Sequence, residues 1–210
     1  GKVYTVDFFA NMPGVGMGEA DPAKMDEVRI NFGPTTQGFF VGLGSAAVPG
    51  IPCGMWELQR RFGRLPMSDL VTPAADAATN GVHVTEGFAR VCELLWPILD
   101  RSDSVRAMFS AEGRPLRAGD TFRCEALSHT LRAFGRSEDY FVCGAGADAL
   151  LMQLGSASRM SQDDLIAQKS RVRPALGIRY RDAVLWVPGS PSAAGVGVAN
   201  SVAGIESRGP

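Results

Sequence analysis

The sequence predicts an α+β chain, and three observations predict it. The opening run Lys2–Ala10, KVYTVDFFA, is dominated by β-branched and aromatic residues, as strands are. The middle of the chain carries several segments whose apolar residues recur at helical spacing. Near the end, Arg179–Val187 reads as two strands around a tight turn, followed by a small-residue helix. The composition fits: 210 residues, 45% hydrophobic, 20% charged and net charge −1 suit one large domain or part of one. There is no basic excess to bind nucleic acid, and no apolar run approaches the ~20 residues of a membrane span. The opening Gly-Lys-Val-Tyr lacks the regions of a signal peptide.

The first strand has nothing before it to pair with, so the chain is expected to be an internal piece or one subunit of something larger. Asn11–Pro34, punctuated by Pro13, Gly14, Gly16, Gly18, Pro22 and Gly33, is expected to be loop. Within it, Gly14-Val-Gly-Met-Gly resembles a phosphate-binding run, but without a strand-to-helix context it reads as turns. Gly38–Val48 is expected to cross the core, with Gly38, Gly42 and Gly44 at close backbone approaches.

A turn at Val48-Pro49-Gly50 leads to a helix with Pro52 in its first turn. Met55, Leu58, Gln59 and Phe62 lie on its adjacent faces, with Trp56 nearby, and Gly63 ends it. Ser68 or Asp69 caps the next helix, whose Val71, Ala74, Ala75 and Ala78 form a flat face that stops at Asn80-Gly81. Thr85 caps a third helix with a stripe of Phe88, Val91, Leu94, Leu95, Ile98 and Leu99, kinked or ended by Pro97. A short amphipathic turn at Val105–Phe109 and a polar turn region at Glu112–Asp120 follow. Helices are expected over Phe122–Phe134, with Leu127, Leu131 and Phe134 inward, and over Ala147–Leu154. Ser161-Gln-Asp-Asp is an N-cap signal for a helix carrying Leu165 and Ile166. Arg181-Asp182 turns the closing strands, Pro188–Gly195 is a small-residue loop, Val196–Ile205 is a helix against the sheet, and Ser207–Pro210 is a polar tail.

Few residues carry obvious chemistry. His83 and His129 are the only histidines, and neither their 46-residue separation nor their neighbours suggest a metal or a nucleophile partner. Cys53, Cys92, Cys124 and Cys143 show no metal spacing and read as buried small hydrophobes. Well-separated free thiols point to a reducing, cytoplasmic setting, with a periplasmic or secreted one left open. Asp120 is expected to cap the Phe122 helix, Asp163 and Asp164 to cap and charge a helix start, and Arg60, Arg61 and Arg64 to form a solvated edge. No metal or cofactor is expected.

The order of motifs resembles a known family. VPG, then a helix, FGRLP, DLVTPA and a small-residue helix ending NGV is similar to the large subunit of gamma-glutamyltranspeptidases, which are N-terminal-nucleophile (Ntn) hydrolases. The resemblance extends to VYTVDFFANMPG upstream, and to MFSAEGRPLRAGDTF and MSQDDLIAQKSRVRPALGIRYRDAVLWVPGSPSAAG downstream. It implies that residues 1–210 are a large-subunit portion of a four-layer αββα sandwich, lacking both family termini. It also implies a small (beta) subunit from the same self-cleaved precursor, whose N-terminal threonine attacks a small-molecule substrate with its own amine as base. No Thr-Thr-His or Thr-Ser-His opening occurs here, and Thr35-Thr36 lies in mid-sequence. The chain is thus expected to hold no catalytic residue of its own, and to have no nucleic-acid or membrane partner.

Phe9 is the one substrate-binding candidate. In the family, Asp7-Phe8-Phe9 resembles Asp-Phe-Arg, and that arginine grips a substrate carboxylate through its two-pronged fork. Phenylalanine offers an apolar contact instead, so a standard gamma-glutamyl substrate is not expected; Phe9 as a core strand residue is the alternative. Pro188–Gly195 also keeps only the outline of the family's Pro-Pro-Pro-Ser-Ser-Gly-Gly loop. Three functions follow from the resemblance: acyl transfer or amide hydrolysis on a non-standard acyl group, hydrolysis of a carbon–carbon bond in antibiotic pathways that build alkylproline units, and a non-catalytic scaffold.

Overall fold

The computed structural model describes residues 2–17 and 25–206. Gly18 and Pro22 of the expected loop and the tail Ser207–Pro210 lie outside the described residues. Helices and strands are mixed along the chain, as an α+β reading requires. Strand β1 (Tyr4–Asp7) does have a neighbour. It pairs antiparallel with β8 (Arg171–Pro174), with Thr5 opposite Arg173, 168 residues away.

The expectation of loop throughout 11–34 is wrong for its second half. β2 (Asp26–Asn31) and β3 (Thr36–Val41) form a hairpin, with Val28 opposite Phe39 and Ile30 opposite Gln37. Val28 and Ile30 alternate with exposed charges, the period of a half-buried strand, but two apolar residues among Gly and Pro are a faint signal. Gly38–Val48 accordingly does not cross the core. It is a largely exposed hairpin strand and a 3-10 turn (Leu43–Ser45) that meets the core at Ala46 and Val48.

Helix α1 (Ile51–Phe62) and α2 (Met67–Asn80) follow. Neither Ser68 nor Asp69 caps α2: the N-cap position is Pro66, with no side-chain cap, and both lie in the first turn, where Asp69 faces the helix dipole. Ala75 and Ala78 are fully packed, and α2 lies along α6 (Glu125–Arg136). α2 stops at Gly81, whose φ of 90° a β-carbon would strain, with Thr121 already against it.

β4 (Val82–His83) leads to α3 (Glu86–Leu94), capped by Thr85, whose hydroxyl accepts the Phe88 N–H at 3.3 Å. The apolar stripe then breaks, and α4 (Trp96–Leu99) carries Pro97 in its first turn, where a missing N–H costs nothing. α5 (Asp103–Phe109) runs into a small hairpin, β5 (Ser110–Ala111) and β6 (Arg114–Pro115), turned at Glu112-Gly113 with positive φ at both. Phe122 is not helical: β7 (Thr121–Phe122) pairs with β4, and the Phe122 ring stacks edge-on with Phe88 and tilted with Phe109. Helix α6 therefore begins three residues late, and Asp120 does not cap it.

α7 (Ala145–Leu154) and α8 (Gln162–Ala167) close the core with Val48, Ala147, Leu154, Met160 and Leu165. β9 (Leu176–Tyr180) and β10 (Ala183–Val187) form the expected hairpin about Arg181-Asp182, and α9 (Ala193–Glu206) packs on it. Among the described residues every sheet has two strands. Such ribbons are marginal alone and leave edges unpaired.

Candidate functional site

The site is built where β1 ends. Side chains alternate along an extended segment, and Phe8 and Phe9 take opposite sides. The Phe8 ring lies on Gly54 of α1, so close that a β-carbon there would overlap it. The Phe8 carbonyl lies equally close over Gly50. The spacing Gly50…Gly54 is one helical turn, so both glycines face the same neighbour. Phe9 points the other way and is 80% exposed. A core position for Phe9 within this chain is thereby excluded.

The Phe9 backbone is held on both sides. Its N–H donates to Asp7 Oδ1 at 3.2 Å. Its carbonyl accepts Gln168 Nε2 at 3.0 Å, and Gln168 Oε1 accepts Asn11 Nδ2. Asn11 in turn forms a two-bond bridge with Val48 (N to O 3.3 Å, O to N 2.8 Å). Gln168 is only 4% exposed. Cys53 donates its thiol to the Gly50 carbonyl at 3.1 Å. Burial pushes the Cys53 thiol up, against a smaller opposite effect from Gln168, so Cys53 is not an activated nucleophile. Beyond Phe8 lies an apolar groove of about 680 Å³ lined by Tyr4, Val6, Phe8, Leu58, Arg61, Phe62 and Val172. Its one cation, Arg61, is paired with Glu57, while Asp7 lies 3.5 Å from Arg173. The edge of Arg60, Arg61 and Arg64 is exposed as expected, with Arg60 also bonded to Glu57 and Glu138.

The other candidates lie apart from this corner. His83 and His129 sit exposed on β4 and α6. Thr35 and Thr36 turn the β2–β3 hairpin, with the Phe32 N–H on the Thr35 carbonyl at 2.8 Å. Asp120 accepts Arg114 Nη1 at 2.7 Å and the Arg117 N–H at 2.8 Å, tying a turn together. Asp164 caps α8 as expected, in a complete capping box with Ser161. No group of three His, Cys, Asp or Glu among the described residues could hold a metal. No described helix is long and apolar enough to cross a membrane. Sequence reading singled out Phe9 and gave no notice of Gln168, Asn11 or the Gly50–Gly54 socket, which the fold brings to the same corner. Gly50 and Gly54 at one-turn spacing were the only available signal, and Gln168 carried none.

Comparison with known proteins identifies the family of the chain. Residues 15–207 match the family described as Gamma-glutamyltranspeptidase. The chain is 30% identical over 176 residues to a glutathione hydrolase proenzyme of Pseudomonas aeruginosa, covering 80% of this chain and 30% of that one. It is 25% identical over 198 residues to the Acylase ACY 1 proenzyme of a Pseudomonas species, covering 93% and 36%. It thus spans about a third of the length of these relatives. Among solved structures, a gamma-glutamyltranspeptidase from Pseudomonas nitroreducens complexed with L-DON superposes with a TM-score of 0.77 at 22% identity, covering 99% of this chain and 63% of that one. The mixed α+β fold is therefore that of the gamma-glutamyltranspeptidase structures on which it superposes.

Proposed function

The chain belongs to the gamma-glutamyltranspeptidase family, and we propose from this that it is the large-subunit portion of an acyl-transferring or hydrolysing enzyme. The attacking group is the N-terminal threonine of a small subunit from the same precursor, and this chain supplies one wall of the pocket. The proenzyme names of the relatives support such processing. Free cysteines among the described residues favour a cytoplasmic setting.

The observation that carries the substrate reading is Phe9, which is exposed where the resemblance puts a carboxylate-gripping arginine. An aromatic ring contributes apolar area and an edge or face contact but no ion pair. The substrate is read as a small molecule whose acyl side lacks a carboxylate at that place. Expression of the complete precursor, followed by mass analysis, should yield two chains, the second opening with threonine. The processed protein should cleave an apolar acyl anilide, phenylacetyl-4-nitroanilide, with higher kcat/KM than gamma-glutamyl-4-nitroanilide. The reverse preference would remove the substrate reading. A single unprocessed chain with full activity would remove the subunit reading.

A second reading is favoured by the same residue. An enzyme that cleaves a carbon–carbon bond beside a carbonyl, in alkylproline-forming antibiotic biosynthesis, also has no use for a cation at Phe9. Incubation with a 2-oxo acid bearing a vinylogous side chain distinguishes it: hydrolysis of the C2–C3 bond places the hydroxyl of water on the acyl carbon and its proton on C3, so release of oxalate supports this reading and recovery of the intact 2-oxo acid overturns it.

A further inference from the structure

We propose that Gln168 is the positioning residue that sets where the Phe9 ring stands. This rests on the reading of Phe9 as a substrate contact, and Gln168 itself touches no reacting atom.

Gln168 bridges the Phe9 carbonyl and the Asn11 side chain, two points just after the Phe9 ring along the chain. Its Nε2 donates to the Phe9 carbonyl at 3.0 Å, and its Oε1 accepts from the Asn11 side chain. A neutral amide is the group that gives and takes at one place. An ionised carboxylate only accepts, and a leucine does neither. Gln168 itself is buried, so an amide left unpaired there is costly.

The bridge is also anchored. Gln168 follows α8, and its own N–H bonds the Asp164 carbonyl at 3.1 Å. Leu165 fixes α8 in the core, and Asp164 fixes it to the Gly14-Val15 backbone. Gly50 completes the fit, because a β-carbon there would come within 2.8 Å of Gln168 Nε2 and overlap the Phe8 carbonyl. Phe8 seated on Gly54, the Phe9 N–H on Asp7 and the Phe9 carbonyl on Gln168 together fix the backbone from which the exposed Phe9 ring projects.

The test uses the complete processed protein in three forms: wild type, Gln168→Leu and Gln168→Glu. Amide hydrogen exchange read by mass spectrometry needs no substrate. In Gln168→Leu the Phe9 and Asn11 amides should exchange about tenfold faster, while α2 and α6 keep their wild-type rates. In Gln168→Glu the same amides should be fast at neutral pH. They should return towards the wild-type rate as pH falls and the new carboxyl, once protonated, can donate. Unchanged exchange at Phe9 and Asn11 overturns the proposal. So does a rise shared equally with α2 and α6, or a Gln168→Glu defect that ignores pH. The substrate side is read separately with phenylacetyl-4-nitroanilide. Gln168→Leu should raise KM several-fold with kcat nearly kept, and a fall in kcat alone overturns the positioning role. Phe9→Ala isolates the underlying reading: unchanged KM there removes Phe9 as a substrate contact, whatever the exchange data say of Gln168.

Discussion

Asp164 Oδ1 accepts the backbone N–H groups of Gly14 and Val15, each at 2.8 Å. Its other oxygen takes the N–H and hydroxyl of Ser161 at 2.8 and 2.9 Å. One carboxylate therefore caps α8 and fills the concavity of the Gly-rich run. The likeness of that run to a phosphate loop had a physical basis, since consecutive amides converge on an anion. The anion is the chain's own.

Burial pushes the Asp164 carboxyl up, but its backbone and hydroxyl donors outweigh this and hold it below its ordinary 3.8. A depressed native pKa stabilises the fold above the unfolded value and is lost as pH falls through the native one. Asp164→Ala should cost about 2 kcal/mol at neutral pH. The gap between wild type and variant in urea unfolding should persist down to the ordinary carboxylate range and shrink below it. A gap that stays constant into strong acid would contradict the assignment.

Asp120 is held down to about 2 by the Arg114 guanidinium and then by the Arg117 N–H. The sign is the same: its contribution is present above 3.8 and fades as pH falls through about 2. Carboxyl chemical shifts should titrate with a midpoint near that value. Arg114→Met should move the midpoint up towards the ordinary range, and a midpoint already ordinary in wild type would show the pair to be unformed in solution.

Gly54→Ala puts a methyl group into the Phe8 ring. Overpacking of this kind costs about 1–3 kcal/mol. Because the clash is with one side chain, Phe8→Ala should relieve part of it, and a double-mutant cycle should return a favourable coupling. Strict additivity of the two changes would mean that Phe8 leaves its seat in solution.

Thr79 donates its hydroxyl to Ser128 at 2.8 Å across the α2–α6 contact, and Ser128 is fully buried. Ser128→Ala leaves the Thr79 hydroxyl with no such acceptor and should cost about 1 kcal/mol. Adding Thr79→Ala should cost little more, measured as the shift in melting temperature. Two equal, independent losses would exclude the bond.

The residues legible from sequence are those whose signal is local. Thr85 and Ser161 cap the helices they precede, Gly63 and Gly81 end theirs, and Arg181-Asp182 turns a hairpin. Each involves groups within a few positions of one another. The misses are of another kind. Phe122 carries enough apolar neighbours to pass as helix, yet Val82 claims it for a strand. Asp120 stands where a cap would, yet Arg114 and Arg117 occupy its oxygens.

The same division runs through the candidate site. The sequence by itself determined the α+β class, the helix ends and the choice of an aromatic at Phe9, because caps, turns and side-chain type act over a few residues. Only the tertiary structure decided that β1 pairs with β8, that Phe8 seats on Gly54 while Phe9 stands outside, and that Gln168 holds the Phe9 carbonyl from 159 positions away. Hydrogen bonds and packing depend on distance in space, and the separation along the chain leaves no periodicity from which such a meeting could be read.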